Sequence, residues 1–156
     1  MRLYLLRHAE AVDHAASDAA RELTARGLEQ ARTVGTFCLK HALRPDLILT
    51  SPYRRAVQTA ELAAAALDQS AQIAPFLASG MTPETALDEL RAYQRFASVM
   101  LVGHQPDFGR LIATLLGSRN EAALPVGKAS LASLEVDRLL PGGASLRFFL
   151  PVKLMT

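Results

Sequence analysis

Leu3-Tyr4-Leu5-Leu6-Arg7-His8-Ala9-Glu10 decides how the rest of the chain is read. Apolar side chains on consecutive positions cannot belong to a strand with one wet face, so residues 3–6 predict a parallel strand covered on both sides. The strand runs without a break into a charged loop. A buried parallel strand needs crossover partners, and the sequence downstream supplies them.

Leu28, Ala31, Gly35, Cys38 and Ala42 recur at spacings of three and four. They predict an amphipathic helix over 25–43, with Thr24 as its N-cap. Residues 46–50 (DLILT) read as a second short strand, and Ser51-Pro52 then reads as an N-cap with proline at the first position of a helix running to about 67. A weaker strand is expected over 72–77, and Thr82-Pro83 opens a short helix to about 93. Residues 99–102 (VMLV) predict another buried strand, ended by Gly103-His104 and followed by a helix over 107–116. The strands expected over 129–136 and 145–150 flank a Pro-Gly-Gly turn at 141–143 that suits an antiparallel hairpin. Strands alternating with helices predict an α/β fold, a mainly parallel sheet sandwiched between helical layers as α/β/α.

The 156 residues, half of them hydrophobic, suffice for one core and not for two, so a single domain over 1–156 is expected. Seventeen Lys plus Arg oppose 15 Asp plus Glu for a formal charge of +2. No block of like charge and no interleaving of basic with aromatic residues appears, which argues against a nucleic-acid binder. Cys38 is the single cysteine. An internal disulfide is therefore impossible, and a cytoplasmic setting is the expectation. The first apolar run ends at Arg7, and none approaches the ~20 residues of a membrane span, so no membrane association is expected.

In an open parallel sheet, ligands bind beyond the carboxyl ends of the strands. Arg7 and His8 follow the first strand, Ser51 to Arg55 the second, and His104 the strand over 99–102. The chemistry such residues share is phosphoryl transfer. Guanidinium groups neutralise the charge that repels a nucleophile from phosphate and match its oxygens in pairs. Arg55, in the first turn of a helix, adds backbone N–H groups and a dipole favourable to an anion. A neutral imidazole, His8, is nucleophilic at physiological pH and can carry the phosphoryl group on nitrogen. His104 would stabilise charge from another side of the same phosphate.

Arg7-His8-Ala9-Glu10, Ser51-Pro52-Tyr53-Arg54-Arg55-Ala56-Val57-Gln58-Thr59 and Gly103-His104 resemble the motifs of the histidine phosphatase (phosphoglycerate mutase-like) superfamily. Alanine stands at position 9 where the family usually has glycine, so a slightly different loop backbone is expected there. The length, Leu23-Thr24-x-x-Gly27 and Lys128-Ala129 are similar to the SixA-type phosphohistidine phosphatases. The resemblance implies His8 as nucleophile, with Arg7, Arg55 and His104 completing the phosphate pocket, and neither metal nor cofactor. Residues 71–97 leave no room for the helical cap of larger relatives, so an open site is implied. Such a site would admit a phosphorylated protein of the histidine phosphotransfer type or a small phosphomonoester. Many relatives use a carboxylate after the third strand as general acid. Glu84 is the first candidate here and Asp18, which could also touch substrate, the second.

Other polar residues carry plainer readings. Ser51 is expected to cap a helix, with its hydroxyl lining the pocket. Arg54, about 100° around the helix from Arg55, is expected in solvent. Cys38 falls on an apolar stripe and reads as core. His14 and His41 match no motif, and His41 lies near a helix end that favours a cation. Glu10, Asp13 and Asp18 lack metal-ligand spacing. A monomer is expected. A phosphate-binding module without catalysis is a rival reading, but one that would not need both His8 and His104.

Overall fold

The computed structural model describes residues 1–120 and 124–156. Its elements in chain order are β1 (Arg2–Arg7), α1 (Ala25–Lys40), β2 (Leu47–Thr50), α2 (Arg54–Ala66), β3 (Ala71–Ile73), α3 (Pro83–Leu90), β4 (Ser98–Gly103), α4 (Asp107–Leu115), β5 (Leu131–Val136) and β6 (Ala144–Leu150). The strands form one sheet in the order β3-β2-β4-β1-β5-β6. β3, β2, β4 and β1 are mutually parallel, while β5 runs antiparallel to both β1 and β6. The mainly parallel sheet and the terminal hairpin are those the sequence predicts.

Side chains of the central strands divide between two cores. Leu3, Leu5, Leu47, Leu49, Val99 and Leu101 pack with Leu87 and Leu90 of α3 and Phe108, Leu111 and Leu115 of α4. Tyr4, Leu6, Ile48, Met100 and Val102 face the other way, onto Ala31, Val34 and Cys38 of α1 and Ala56, Ala60 and Ala63 of α2. Alternate residues thus enter opposite cores, which is why the strand sequences are apolar throughout. The result is three layers.

Small residues allow α1 and α2 to lie close. A side chain at Gly35 would come within 2.8 Å of the Ala66 methyl group and 3.1 Å of the Ala63 backbone. Buried Cys38 joins this layer, and burial pushes its thiol pKa up to about 12, as expected for core and not for a nucleophile.

Several boundaries differ from expectation, each for a local reason. Pairing of β3 stops at Ile73, because Pro75 lacks an N–H for a ladder and opens a 3-10 turn over Pro75–Leu77. The helix expected to reach residue 93 ends as α3 at Leu90 and continues as a 3-10 turn over Arg91–Tyr93. α1 stops at Lys40, after which Ala42 takes a left-handed conformation at φ 54°. Ser51 is not the N-cap of α2: Tyr53 holds that position without a side-chain capping bond, and the Ser51 hydroxyl accepts from Tyr53 N–H at 3.2 Å, just ahead of the helix, while also bonding His104. Between β3 and β4 stand only α3 and two 3-10 turns, so nothing of cap size is inserted there. Among the described residues, no helix is long and apolar enough to cross a membrane.

Candidate active site

The register of the sheet sets the site. Thr50 pairs with Val102, and Val102 with Leu6, so β2, β4 and β1 end level with one another. Two backbone bonds extend that alignment past the strands: His8 N–H donates to Gly103 C=O and Ser51 N–H to Val102 C=O, both at 2.9 Å. His8, Ser51 and His104 are thereby brought together from three chain segments. Glycine is required before His104, since a side chain at position 103 would meet the Phe108 ring at 2.7 Å.

His8 is 7% exposed and His104 2% exposed, with ring centroids 5.3 Å apart. His8 Nδ1 lies 2.7 Å from Ala9 O, and Arg55 Nε lies 3.2 Å from His8 Nε2. A carbonyl oxygen only accepts, so the proton sits on Nδ1; Arg55 Nε–H only donates, so Nε2 presents its lone pair. Both bonds specify one tautomer. Burial, the largest cause, and the charges of His104, Arg55 and Arg7 push the His8 pKa down to about 3, against the opposing effect of the Ala9 hydrogen bond. At neutral pH the imidazole is uncharged and nucleophilic at Nε2.

Three nitrogens of Arg55 are committed. Besides Nε–H to His8, NH1 donates to Asp18 O at 2.7 Å and NH2 to Asp18 Oδ2 at 3.1 Å. The Asp18 carboxylate also accepts from Arg21 NH1 at 2.8 Å. These bonds, Arg21 first, hold its pKa below the usual carboxylate range although the side chain is 56% exposed. Arg7 NH1 donates to Val126 O at 2.8 Å, while its buried Nε has no partner among the described residues. Burial first, and the Arg55 charge second, lower the Arg7 pKa from its ordinary value. A guanidinium still remains charged.

His104 Nε2 and Ser51 Oγ are hydrogen-bonded at 2.7 Å, and Nδ1 of the same buried ring has no partner among the described residues. Burial and the Arg55 and Arg7 charges lower the His104 pKa to about 4, with Asp18 acting in the opposite sense. Tyr53 packs edge-on against His104 at 5.0 Å between centroids, and the Arg55 guanidinium carbon lies 5.1 Å from the Tyr53 ring centre.

His8, Arg55, His104, Ser51 and Asp18 thus form one connected cluster, and Arg7, beside His8 in the chain, is near enough for its charge to lower the pKa of both histidines. Glu84 is exposed in the first turn of α3, and no hydrogen bond or ion pair among the described residues ties it to the cluster. Arg54 points outward, half-exposed and paired with Glu22 at 3.2 Å. Among the described residues no three His, Cys, Asp or Glu side chains are grouped to hold a metal ion.

The supporting residues Gln58, Thr59, Tyr53 and Arg21 were not singled out from the sequence. Thr59 Oγ1 accepts from Ala9 N–H at 3.0 Å and donates to Arg55 O at 2.7 Å, locking the His8 loop to α2. Gln58 Oε1 accepts from Leu23 N–H at 2.8 Å. Their places in the Arg55-Ala56-Val57-Gln58-Thr59 run are the signal that could have found them. For Asp18 and Arg21, joined to the cluster through a loop, periodicity offers none.

The histidine phosphatase superfamily (branch 1) matches residues 3–79. The phosphohistidine phosphatase SixA homolog of Haemophilus influenzae is 34% identical over 131 residues, covering 77% of this chain and 80% of that protein. The adenosylcobalamin/alpha-ribazole phosphatase of Escherichia coli is 28% identical, covering 78% of this chain and 82% of its own. A solved structure of the protein histidine phosphatase SixA complexed with tungstate superposes with a TM-score of 0.89 at 26% identity, over all of both chains. With the motifs and the fold in agreement, the chain belongs to the histidine phosphatase superfamily and is a phosphatase of the SixA type.

Proposed function

We propose that the chain removes the phosphoryl group from phosphohistidine on a phosphorelay protein, by double displacement through a phosphohistidine formed at His8. The observation that carries this reading is the His8 tautomer: a neutral ring with its Nε2 lone pair turned toward a buried guanidinium. In the first step that lone pair attacks phosphorus while Arg7 and Arg55 neutralise the oxygens and His104 stabilises the charge that develops. In the second, water attacks the phosphoenzyme and inorganic phosphate leaves. Ser51 orients His104 through its hydroxyl. The absence of a cap-sized insertion between β3 and β4 supports a substrate presented by another protein.

Likeness to the Escherichia coli adenosylcobalamin/alpha-ribazole phosphatase favours a second reading, hydrolysis of small phosphomonoesters at the same site. Trapping the phosphoenzyme separates the readings. Wild type and His8→Ala are incubated with a labelled phosphohistidine protein or a labelled small phosphomonoester, quenched briefly in acid and made alkaline, because phosphohistidine is acid-labile. Label on wild type alone, acquired faster from the protein, is the expected result. Unchanged turnover in His8→Ala would overturn the mechanism, and faster labelling from the monoester would overturn the substrate.

A further inference from the structure

Asp18 poses a chemical question. It stands beside Arg55, to which the reading above gives the phosphate, yet both its carboxylate oxygens accept from guanidinium groups, Oδ1 from Arg21 and Oδ2 from Arg55. Two cations at hydrogen-bond distance stabilise the ionised form, so this carboxylate has no proton to hand to a leaving alkoxide. Each oxygen nevertheless retains a further lone pair, and more than half of the side chain faces solvent. It borders a shallow hollow lined also by Asp13, His14, Ala15, Ser17 and Arg21. The Arg55 guanidinium lies between nucleophile and carboxylate, with His8 Nε2 on one nitrogen and Asp18 on the other two. A phosphoryl group seated on that guanidinium has an attacking nitrogen on one flank and a fixed hydrogen-bond acceptor on another.

We propose that the Asp18 carboxylate accepts the ring N–H of a leaving imidazole, so that the site selects phosphorylated imidazoles over alkyl phosphate esters. This rests on the phosphohistidine reading above and assigns its leaving-group contact. His8 Nε2 gives its lone pair to phosphorus as the P–N bond of the substrate breaks, and that bond's electron pair returns to the substrate ring. With a proton on the distal ring nitrogen, held by Asp18, the departing group is neutral imidazole and no further proton is delivered. Water then attacks the phosphorus on His8, loses its proton to solvent, and the P–N electron pair returns to Nε2. An alkyl ester would need a proton delivered to its oxygen, which an ionised Asp18 does not supply. Holding Arg55 does not by itself demand a carboxylate, since the Asp18 backbone carbonyl accepts from NH1 whatever side chain stands there.

The test compares kcat/KM of wild type, Asp18→Asn and Asp18→Ala on three probes: N-phosphoimidazole, its ring-methylated analogue without an N–H, and 4-nitrophenyl phosphate. Both variants weaken the Arg55 contact and so lower kcat/KM on every probe, but the expected loss with N-phosphoimidazole exceeds that with the other two by at least about tenfold. Asn keeps one oxygen for Arg55 and loses the second. Equal losses on all three probes, or none on N-phosphoimidazole, would overturn the proposal by reducing Asp18 to a support for Arg55. Wild type alone gives a second reading independent of folding: normalised to uncatalysed hydrolysis, methylation of the ring should lower its kcat/KM at least tenfold, and equal rates would refute the contact. Failure of wild type to turn over N-phosphoimidazole while cleaving the aryl ester would instead remove the phosphohistidine reading itself.

Discussion

His104 Nε2 and Ser51 Oγ meet at 2.7 Å, joining the end of β4 to the loop that leaves β2. Both residues are almost wholly buried, at 2% and 0% exposure, and the same hydroxyl accepts from Tyr53 N–H at 3.2 Å. Ser51→Ala strips the buried His104 Nε2 of its hydrogen-bond partner, a loss on the order of 1–3 kcal/mol. If His104 stabilises the transition state, kcat should fall roughly 10- to 100-fold in a variant that remains folded, with a melting temperature lower by about 2–4 °C for each kcal/mol lost. Steady-state kinetics beside thermal unfolding checks this; a kcat within twofold of wild type would detach Ser51 from the mechanism.

Arg55→Lys asks whether charge alone suffices. Lysine keeps the charge but loses the planar fork that reaches His8 and both the carboxylate and carbonyl of Asp18. Losing charge-assisted bonds of about 1.5–3 kcal/mol each predicts a kcat/KM lower by 10²-fold or more, and weaker competition by inorganic phosphate or tungstate. Retained inhibition by those anions with wild-type affinity would contradict the assignment of Arg55 to phosphate.

The convergence of Arg7, His8, Arg55 and His104 was legible in the sequence because each follows a strand or opens a helix, and parallel topology sends such points to one edge. What was not legible depended on tertiary competition. Ser51 carries the local pattern of an N-cap, yet α2 begins two residues later than that pattern implies, and the same hydroxyl that meets Tyr53 N–H also bonds His104, fifty-three residues away. Asp18 reaches Arg55 through a loop pinned by the Ala11–Leu23 bridge and a 3-10 turn, features that no apolar period encodes. The strand expected over 72–77 forms only as β3, Ala71–Ile73, because Pro75 lacks the N–H that would continue the ladder and opens a 3-10 turn instead.

Acid should destabilise the fold through the same histidines. His8 and His104 have folded pKa values lowered to about 3 and about 4, chiefly by burial, against an ordinary value of 6.5. Below about pH 6.5 the unfolded chain binds protons that the folded chain refuses, so stability is complete above that pH and declines as pH falls toward the folded values. The slope is at most about 1.4 kcal/mol per pH unit for each ring. Urea midpoints should therefore drop between pH 7.5 and 5, and less steeply in a His8→Gln, His104→Gln variant. Ring nitrogen NMR should show both imidazoles neutral at pH 5.5; protonation of either near pH 6.5 would contradict the burial argument.

Gly27 tests how the loop after β1 is held in place. It sits in the first turn of α1, where its N–H donates to the capping Thr24 hydroxyl at 3.0 Å, and that hydroxyl donates in turn to Glu10 Oε1 at 2.9 Å. A methyl group at position 27 would overlap the carbonyl oxygen of Glu10, two residues beyond His8. Backbone cannot rotate aside as a side-chain tip can, so Gly27→Ala must move either α1 or the loop. Alanine's better helix propensity, about 1 kcal/mol, works against the clash, and overpacking of this kind costs about 1–3 kcal/mol. Because the loop also carries Glu10 N–H to Gln30 Oε1 at 2.9 Å and Ala9 N–H to Thr59, its displacement reaches His8 directly. The expected outcome is a kcat reduced at least tenfold in a variant that remains folded, with Gly27→Val worse than Gly27→Ala. Full activity in Gly27→Ala would mean that the loop yields without moving His8, and the tether from α1 would then have no bearing on the site.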